Sequence, residues 1–403
     1  MRIEKGRKMP GGKLILSTAP FSISVALGLI GLAVPLFAIN LGASALVLGE
    51  LGFVSTLCFV ILTPIFGKLV DRIGCRSLLL FGALTFFLSS LALSLSSKMY
   101  QLFLFIAFVG IAEAMFWPSF AVWLTQMRMG ESLLKRVSFF NISWCLGSGI
   151  GFLIAGILFE AYSHLPFYFA SFLSLATIFL MVGKLRKKKK DALSADSGGK
   201  RMENNFSLDS SSSGQNALFY LYIGWVANFA NYFCIGMIRY LFPKLSIHIG
   251  IKPSLIGVLL FTVAFSQTVA FYMLGKTERW HYKGTPLILS QLLVIFGLVL
   301  IFLGSTVFSF LIAFMFIGVG GGLIFFSSIF YSLDNLEGKG QKSGIHGAVL
   351  GTGFFLGPLA GGAIAEAFTL RSPYVLAIFV IGAAICVEIL LMKKRKKYAI
   401  KVK

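Results

Sequence analysis

Long apolar runs separated by short polar breaks recur along nearly the whole chain, from Leu14 to Met392. Each run reaches about 20 residues, the length an α-helix needs to cross a hydrocarbon core of roughly 30 Å. The breaks predict twelve such helices, at 14–39, 45–66, 77–96, 101–126, 137–160, 165–183, 216–243, 253–274, 285–303, 306–332, 343–368 and 374–392. A transmembrane barrel requires short alternating segments of about 10 residues instead. The pattern therefore predicts an all-α integral membrane protein. Composition agrees: of 403 residues, 57% are hydrophobic and only 13% charged, which excludes a set of soluble domains. The 42 Phe and 43 Gly suit lipid-facing bulk and close helix contacts.

A net charge of +21 would suggest nucleic acid as a partner of a soluble protein, but here its distribution decides. With both termini placed in the cytoplasm, 31 of the 36 Lys and Arg fall in cytoplasmic loops and tails. Lys98, Lys252 and Arg371 fall in outer loops, and Arg239 and Lys244 lie in or at the end of the seventh span. That bias predicts cytoplasmic termini in the cytoplasmic membrane and no nucleic-acid partner. The basic runs at 187–190 and 393–397 are candidate contacts for anionic headgroups of the bilayer. Cys58, Cys75, Cys145, Cys234 and Cys386 show no metal-ligand spacing, so neither a disulfide framework nor a metal site is expected. The basic N-terminus leads into an apolar run too long for a signal-peptide core and is expected to stay as the first membrane helix.

The segment 184–215, first basic and then rich in Ser and Gly, reads as a cytoplasmic linker between an N-terminal six-helix half (1–183) and a C-terminal one (216–403) with a basic tail. The halves look like a repeat. One offset pairs Pro35 with Pro243, Gly42 with Gly250, Gly49 with Gly257, Gly67 with Gly275, and Lys68 with Lys276. An offset two residues shorter pairs Gly147, Gly151, Gly156 and Glu160 with Gly353, Gly357, Gly362 and Glu366. Six helices per copy is an even number, so both copies enter from the same side. Parallel halves around a midplane site describe an alternating-access transporter.

Between the second and third spans, Gly67-Lys68-Leu69-Val70-Asp71-Arg72-Ile73-Gly74-Cys75-Arg76 closely resembles the loop signature of the major facilitator superfamily, with Cys75 replacing one basic residue. The resemblance extends over the chain in span count, linker position and repeat. It implies a twelve-helix fold in two halves that works as a monomer without a cofactor, driven by a proton or other ion gradient. In that reading the loop is a gating latch: Gly67 lets helices approach, Gly74 permits a tight turn, and Asp71 accepts from helix amides or an arginine. Its counterpart from Gly275 and Lys276 to Gly284 loses the Asp-Arg core. A second signature, associated with antiporters, is broken in the fifth span, where Gly147, Gly151 and Gly156 remain but Phe152 replaces a proline and Ala155 a glycine. It is complete in the eleventh span, as Gly353, Gly357, Pro358, Gly361 and Gly362. Both segments read as helix-packing seams, where small residues permit close approach and proline permits a kink. The arginine often found in the superfamily's fourth span is absent, with Ile106 at its place.

Ionisable residues inside the spans are costly and point to function. Glu113, mid-way along the fourth span, must face a cavity or be neutral. It is the leading candidate for proton exchange or for a cationic substrate, against a structural hydrogen bond between helices. Arg239 either binds an anion or an acid across the cavity, or snorkels to headgroups. Glu50 is a candidate for an outer gate or a solvated helix start. Glu388 reads as a local pair with the basic tail, and His346 as a satisfied structural histidine rather than a proton carrier. By resemblance, the first, fourth, seventh and tenth spans line the cavity, which makes Asn40, Trp117, Asn228, Asn231, Tyr232 and Tyr331 candidates. Asn141 and Trp144 in the fifth span and Gln267 in the eighth join them. Each alternatively serves as interhelical glue.

Few polar groups and much Phe in the spans favour an amphiphilic organic solute as the small-molecule substrate. The leading function is a secondary transporter exporting such a solute with proton coupling. The alternatives are an uptake permease for a sugar or carboxylate, and a non-transporting sensor or scaffold on the same fold. No phosphate-binding glycine loop, metal cluster or nucleophile-base pair supports an enzyme.

Overall fold

The computed structural model describes residues 10–126, 133–192, 211–333 and 339–401. Among them it has twelve helices: α1 (Pro10–Asn40), α2 (Ala45–Ile73), α3 (Cys75–Ser94), α4 (Met99–Gln126), α5 (Leu133–Ala161), α6 (Leu165–Ala192), α7 (Ser211–His248), α8 (Pro253–Leu274), α9 (Gly284–Leu303), α10 (Val307–Leu333), α11 (Lys339–Ala367) and α12 (Ser372–Lys401). All twelve are long and apolar enough to cross a membrane. Several outrun the apolar runs that announce them. α6 continues to Ala192 and α7 begins at Ser211, so helix takes in both ends of the expected linker, whose remainder lies outside the described residues. At the α6 end, the Lys, Arg and Leu residues favour helix once an apolar span has nucleated it. α7 also runs through Pro243 to His248 rather than stopping at the proline, which packed membrane helices tolerate.

Each helix reverses the one before, so the turns α1–α2, α3–α4, α5–α6 and their C-terminal counterparts lie on one face, here the distal face, opposite the chain ends. The repeat is visible in the turns themselves. Gly42 has φ 83° and Gly250 φ 82°, and both close the same pair of bonds: Gly42 N to Ile39 O and Ala43 N to Ala38 O at 2.9 Å each, Gly250 N to Ile247 O at 3.0 Å and Ile251 N to Ser246 O at 2.9 Å. This is the glycine-terminated helix end in which a left-handed residue lets two amides reach back to orphan carbonyls.

Packing follows the halves. In the first, α1 packs on α5 and α6, α2 on α4, and α3 on α4 and α6. In the second, α7 packs on α11 and α12, α8 on α10, and α9 on α10 and α12. The halves meet chiefly along α5 against α8 and α2 against α11, with α1 and α2 also reaching α7. α2 and α11 touch from Ala45 and Glu366 down to Val60 and Gly351. Towards the face bearing the termini they diverge: among the described residues nothing stands within 4 Å of a Cβ built on Gly67, Gly344 or Gly347. α5 and α8 stay joined further, to Ser138, whose hydroxyl donates to Phe271 O at 3.0 Å.

Candidate substrate and coupling site

The signature segment after α2 is helix for most of its length, which corrects the expected gating loop. Gly67, Lys68, Asp71 and Arg72 belong to α2, and Arg76 to α3, so Gly74 alone stands between the helices. Gly74 (φ 84°) breaks the helix while its N–H still reaches Val70 O at 2.9 Å. Among the described residues Gly67 brings no second helix close. The side chain of Asp71 lies outside the described residues. On the other half, Gly275 ends α8 against Ser138, and Lys276 lies over the Tyr272 ring at 4.1 Å.

The seam glycines divide into two kinds. Gly147 and Gly151 seat α5 on α1, and Gly353 and Gly357 seat α11 on α7, each with a neighbouring backbone carbonyl where a Cβ would stand. Gly156 and Gly362 instead cross between halves, against Pro253 and Ala45. Gly361 packs on Met237 and Leu241, and Pro358 on Gly49 and Gly52 of α2 and Gly236 of α7.

At mid-depth the halves exchange charge. Arg239 projects from α7 onto α1, where its Nη2 donates to Leu27 O at 3.1 Å. Its guanidinium lies between two rings, Phe152 of α5 at 5.5 Å and Phe354 of α11 at 5.6 Å. It occupies the space above Gly31, where a Cβ would stand 2.6 Å from Nε and 2.7 Å from Cζ. Gly31 is the residue of the first half that corresponds to Arg239, so one copy has emptied the position its partner fills. Glu113, in the middle of α4, is partly exposed and within electrostatic reach of Arg239. Among the described residues no hydrogen bond or ion pair joins the two, and Nε of Arg239 has no hydrogen-bond partner there. Tyr240 lies across Gly52 and beside Ser55 of α2, within reach of both charges.

About two to three turns further along α7, towards the face of the termini, lie Asn228 and Asn231, 0% and 1% exposed, whose amide atoms are all unpartnered among the described residues. Asn231 faces Gly321 of α10, the residue that corresponds to Glu113. Asn141 of α5 accepts from Trp144 Nε1 at 3.2 Å and leaves its own amide nitrogen unpartnered. Trp144 packs edge-on and Tyr232 at a tilt against Phe325 of α10, at 5.5 and 5.8 Å. Cys145 donates to Gln267 Oε1 at 3.5 Å, tying α5 to α8. Orphaned amides in a dry interior are costly unless a ligand or water completes them.

Other candidates lie elsewhere. Asn40 is exposed at the last residue of α1, where its short polar side chain suits a helix end in water, so it is not a cavity residue. Tyr331 belongs to an aromatic cluster at the face of the termini, where its hydroxyl accepts from Tyr282 N at 3.0 Å and Trp280 packs beside it. Trp117 packs edge-on against Phe116 and Phe140 within the first half. Glu50 stands partly exposed near the distal end of α2. His346 is buried and paired with Ser328 Oγ at 2.8 Å. Glu388 corrects the expected local pair: it is 0% exposed, and both of its carboxylate oxygens accept from Gln291 Nε2 on α9, at 2.9 and 2.8 Å. A carboxylate buried between two helices needs a donor there, and Gln291 supplies it.

The sequence profile of the Major Facilitator Superfamily matches residues 16–220 and 224–402. The chain belongs to that superfamily. Among curated superfamily proteins it is 23% identical to Quinolone resistance protein NorA of Staphylococcus aureus (strain COL) over 397 residues, covering 94% of this chain and 95% of that one. It is 26% identical to Multidrug resistance protein 1 of Bacillus subtilis (strain 168) over 177 residues, covering 44% of this chain and 46% of that protein, about half its length. Among solved structures, the fold matches a bacterial homolog to the human lysosomal transporter Spinster in an inward-facing, unoccupied conformation, with a TM-score of 0.71 at 11% identity over 96% of this chain and 98% of that one. A mutant of the nucleoside transporter NupG matches with a TM-score of 0.69 at 10% identity, over 94% and 99%. This is therefore a superfamily transporter, a multi-pass membrane protein and not an enzyme.

Sequence reasoning missed Tyr240, Phe152 and Phe354. Tyr240 adjoins Arg239, and Phe152 interrupts the fifth-span signature at its proline, so two of the three carried a signal. The departure at Phe152 supplies a ring for the guanidinium. Phe354 had no distinguishing mark among 42 Phe.

Proposed function

We propose that this transporter exports amphiphilic organic compounds from the cytoplasm, each cycle coupled to proton entry through Glu113. Both termini are cytoplasmic in this reading, the membrane is the cytoplasmic one, the distal face is outside, and the monomer is the working unit. The observation that carries it is the juxtaposition at mid-depth of a partly exposed carboxyl on one half with a guanidinium on the other. A carboxylate facing Arg239 is held by attraction across the halves; a protonated one is not, so proton binding alters how strongly the halves adhere. That is the differential interaction a coupled transporter requires.

The substrate class rests on the lining. Phe152, Phe354, Phe325, Trp144, Tyr232 and Tyr240 offer flat apolar faces, and Asn228, Asn231 and Asn141 offer a few amides. Such a surface suits a planar or bulky solute with few polar groups, and is poor in the convergent hydrogen bonds that a sugar needs. Relatives named for multidrug and quinolone resistance support the same direction and substrate class. The basic residues at the face of the termini support the orientation.

The test uses inverted membrane vesicles energised to an acid interior, with a fluorescent lipophilic cation, a quinolone and a radiolabelled sugar as probes. Expected is gradient-dependent accumulation of the cation or the quinolone, and none of the sugar. Accumulation of the sugar alone would overturn the export of amphiphiles.

A further inference from the structure

Glu160 and Glu366 occupy equivalent places in the two halves, at the distal ends of α5 and α11, and neither belongs to the mid-depth site. The structure gives them the same task. Glu366 Oε2 accepts from Ala45 N at 3.1 Å and Leu46 N at 3.5 Å, the first amides of α2. Glu160 Oε1 accepts from Ser254 N at 2.8 Å, the first amide that α8 can donate, because Pro253 has none. Ala45 and Leu46 correspond to Pro253 and Ser254 in the repeat. Each carboxylate therefore caps the start of a helix in the opposite half.

Neither helix replaces that cap from its own sequence. The side chain of Ser44 reaches Val47 N at 3.4 Å and leaves Ala45 N and Leu46 N to Glu366. Lys252, at the cap position of α8, makes no side-chain cap bond at all. A carboxylate at a helix start satisfies orphan amides and complements the positive end of the helix dipole. The halves also approach closely at the same places. A Cβ on Gly156 would stand 2.9 Å from Ser254 Cα, and one on Gly362 would stand 3.2 Å from Leu46 Cα. On the α2 side Lys244 adds a bond from its Nζ to Ala43 O.

We propose that Glu160 and Glu366 are a symmetry-related pair of latches that hold the distal face closed, each by capping a helix of the other half, and that both release when that face opens. Opening frees the first amides of α2 and α8 together, so the two carboxylates bias the resting equilibrium towards a closed distal face. A charge at an exposed helix start is worth about 2- to 5-fold in an equilibrium, so the pair is worth roughly 4- to 25-fold. The device rests on the two-half cycle, but not on the identity of the substrate or the coupling ion.

The experiment places spin labels at Leu95→Cys and Leu303→Cys, equivalent distal positions of the two halves, each 69% exposed. Cys58, which is partly exposed, and Cys386, which is exposed, are changed to serine. Pulsed electron-electron distance measurements on the full chain in lipid nanodiscs then read the ratio of long to short separations, with neither substrate nor proton gradient present. Expected is a rise of that ratio by about 2- to 5-fold in Glu160→Ala or Glu366→Ala, and by roughly 4- to 25-fold in the double variant. Glu160→Gln/Glu366→Gln, which keeps an acceptor oxygen but no charge, should fall between native and the alanine pair. An unchanged ratio in the folded double alanine variant overturns the proposal. Should that variant not fold, the glutamine pair decides, and an unchanged ratio there overturns it equally. Failure here leaves transport by the mid-depth site intact, so the two readings fail separately.

Discussion

Arg239 and Gly31 give the sharpest quantitative test of the interface between the halves. A methyl group at position 31 would stand 2.6 Å from Nε and 2.7 Å from Cζ of Arg239, so Gly31→Ala must displace the guanidinium. Displacement removes its bond to Leu27 O and its stacking between Phe152 and Phe354. A hydrogen bond to a charged group is worth about 1.5–3 kcal/mol, and a cation–π contact about 0.5–2 kcal/mol. Hydrogen bonds within membranes average lower, about 0.6 kcal/mol, which sets the expected interaction near 2 kcal/mol. Replacing glycine by alanine inside a helix gains about 1 kcal/mol. The net cost of Gly31→Ala is thus about 1 kcal/mol. In an Arg239→Met background nothing remains to displace, and the same substitution should be neutral or stabilise by up to about 1 kcal/mol. Reversible unfolding in mixed micelles, measured on the native protein, both single variants and the double variant, gives the coupling directly. Expected is about 2 kcal/mol; additivity to within about 0.5 kcal/mol would refute the placement of Arg239 over Gly31.

The remaining predictions address separate parts of the molecule. Phe152→Leu should destabilise the native protein by about 0.5–2 kcal/mol in the same unfolding assay, but not the Arg239→Met variant, because the ring acts through the guanidinium. Glu388→Leu should cost about 1–3 kcal/mol by leaving the Gln291 amide unpaired between α9 and α12. The double variant Gln291→Leu/Glu388→Leu should recover most of that loss with unchanged transport rates, and a lost transport rate would make Glu388 part of the mechanism. Asp71→Asn, in the signature segment, should lower turnover more than substrate affinity in vesicle transport, and an equal loss of both would count against a gating role.

Much of the fold is legible in the sequence because a membrane imposes one constraint on every span. The apolar run at 253–274 coincides with α8, and the paired glycines of the fifth and eleventh spans anticipate the matching backbone contacts of Gly151 and Gly357. Helix ends are less legible where polar helix formers continue a span, as at Ala192 and through the basic residues of α12. Glu113 and Arg239 stand out as charges inside spans, yet nothing local says that Arg239 crosses to the other half rather than reaching towards headgroups. That outcome depends on Gly31, over 200 residues away, and only the repeat links the two positions. Glu388 misleads for the same reason: sequence shows its neighbours on α12, whereas its partner Gln291 is on α9. Tyr331 and Asn40 share helices with the site but lie beyond its depth, and depth along a helix is set by where the membrane and the turns fall.

The most direct test of Glu113 as the proton carrier compares two transport modes in proteoliposomes of the native protein and Glu113→Gln. One mode is exchange of labelled for unlabelled substrate at equal pH on both sides, which requires only the movement of the halves. The other is substrate accumulation driven by an imposed proton gradient. Glu113→Gln is expected to retain exchange and to lose gradient-driven accumulation. Accumulation at the native level in Glu113→Gln would contradict the account and remove this carboxyl from the coupling mechanism.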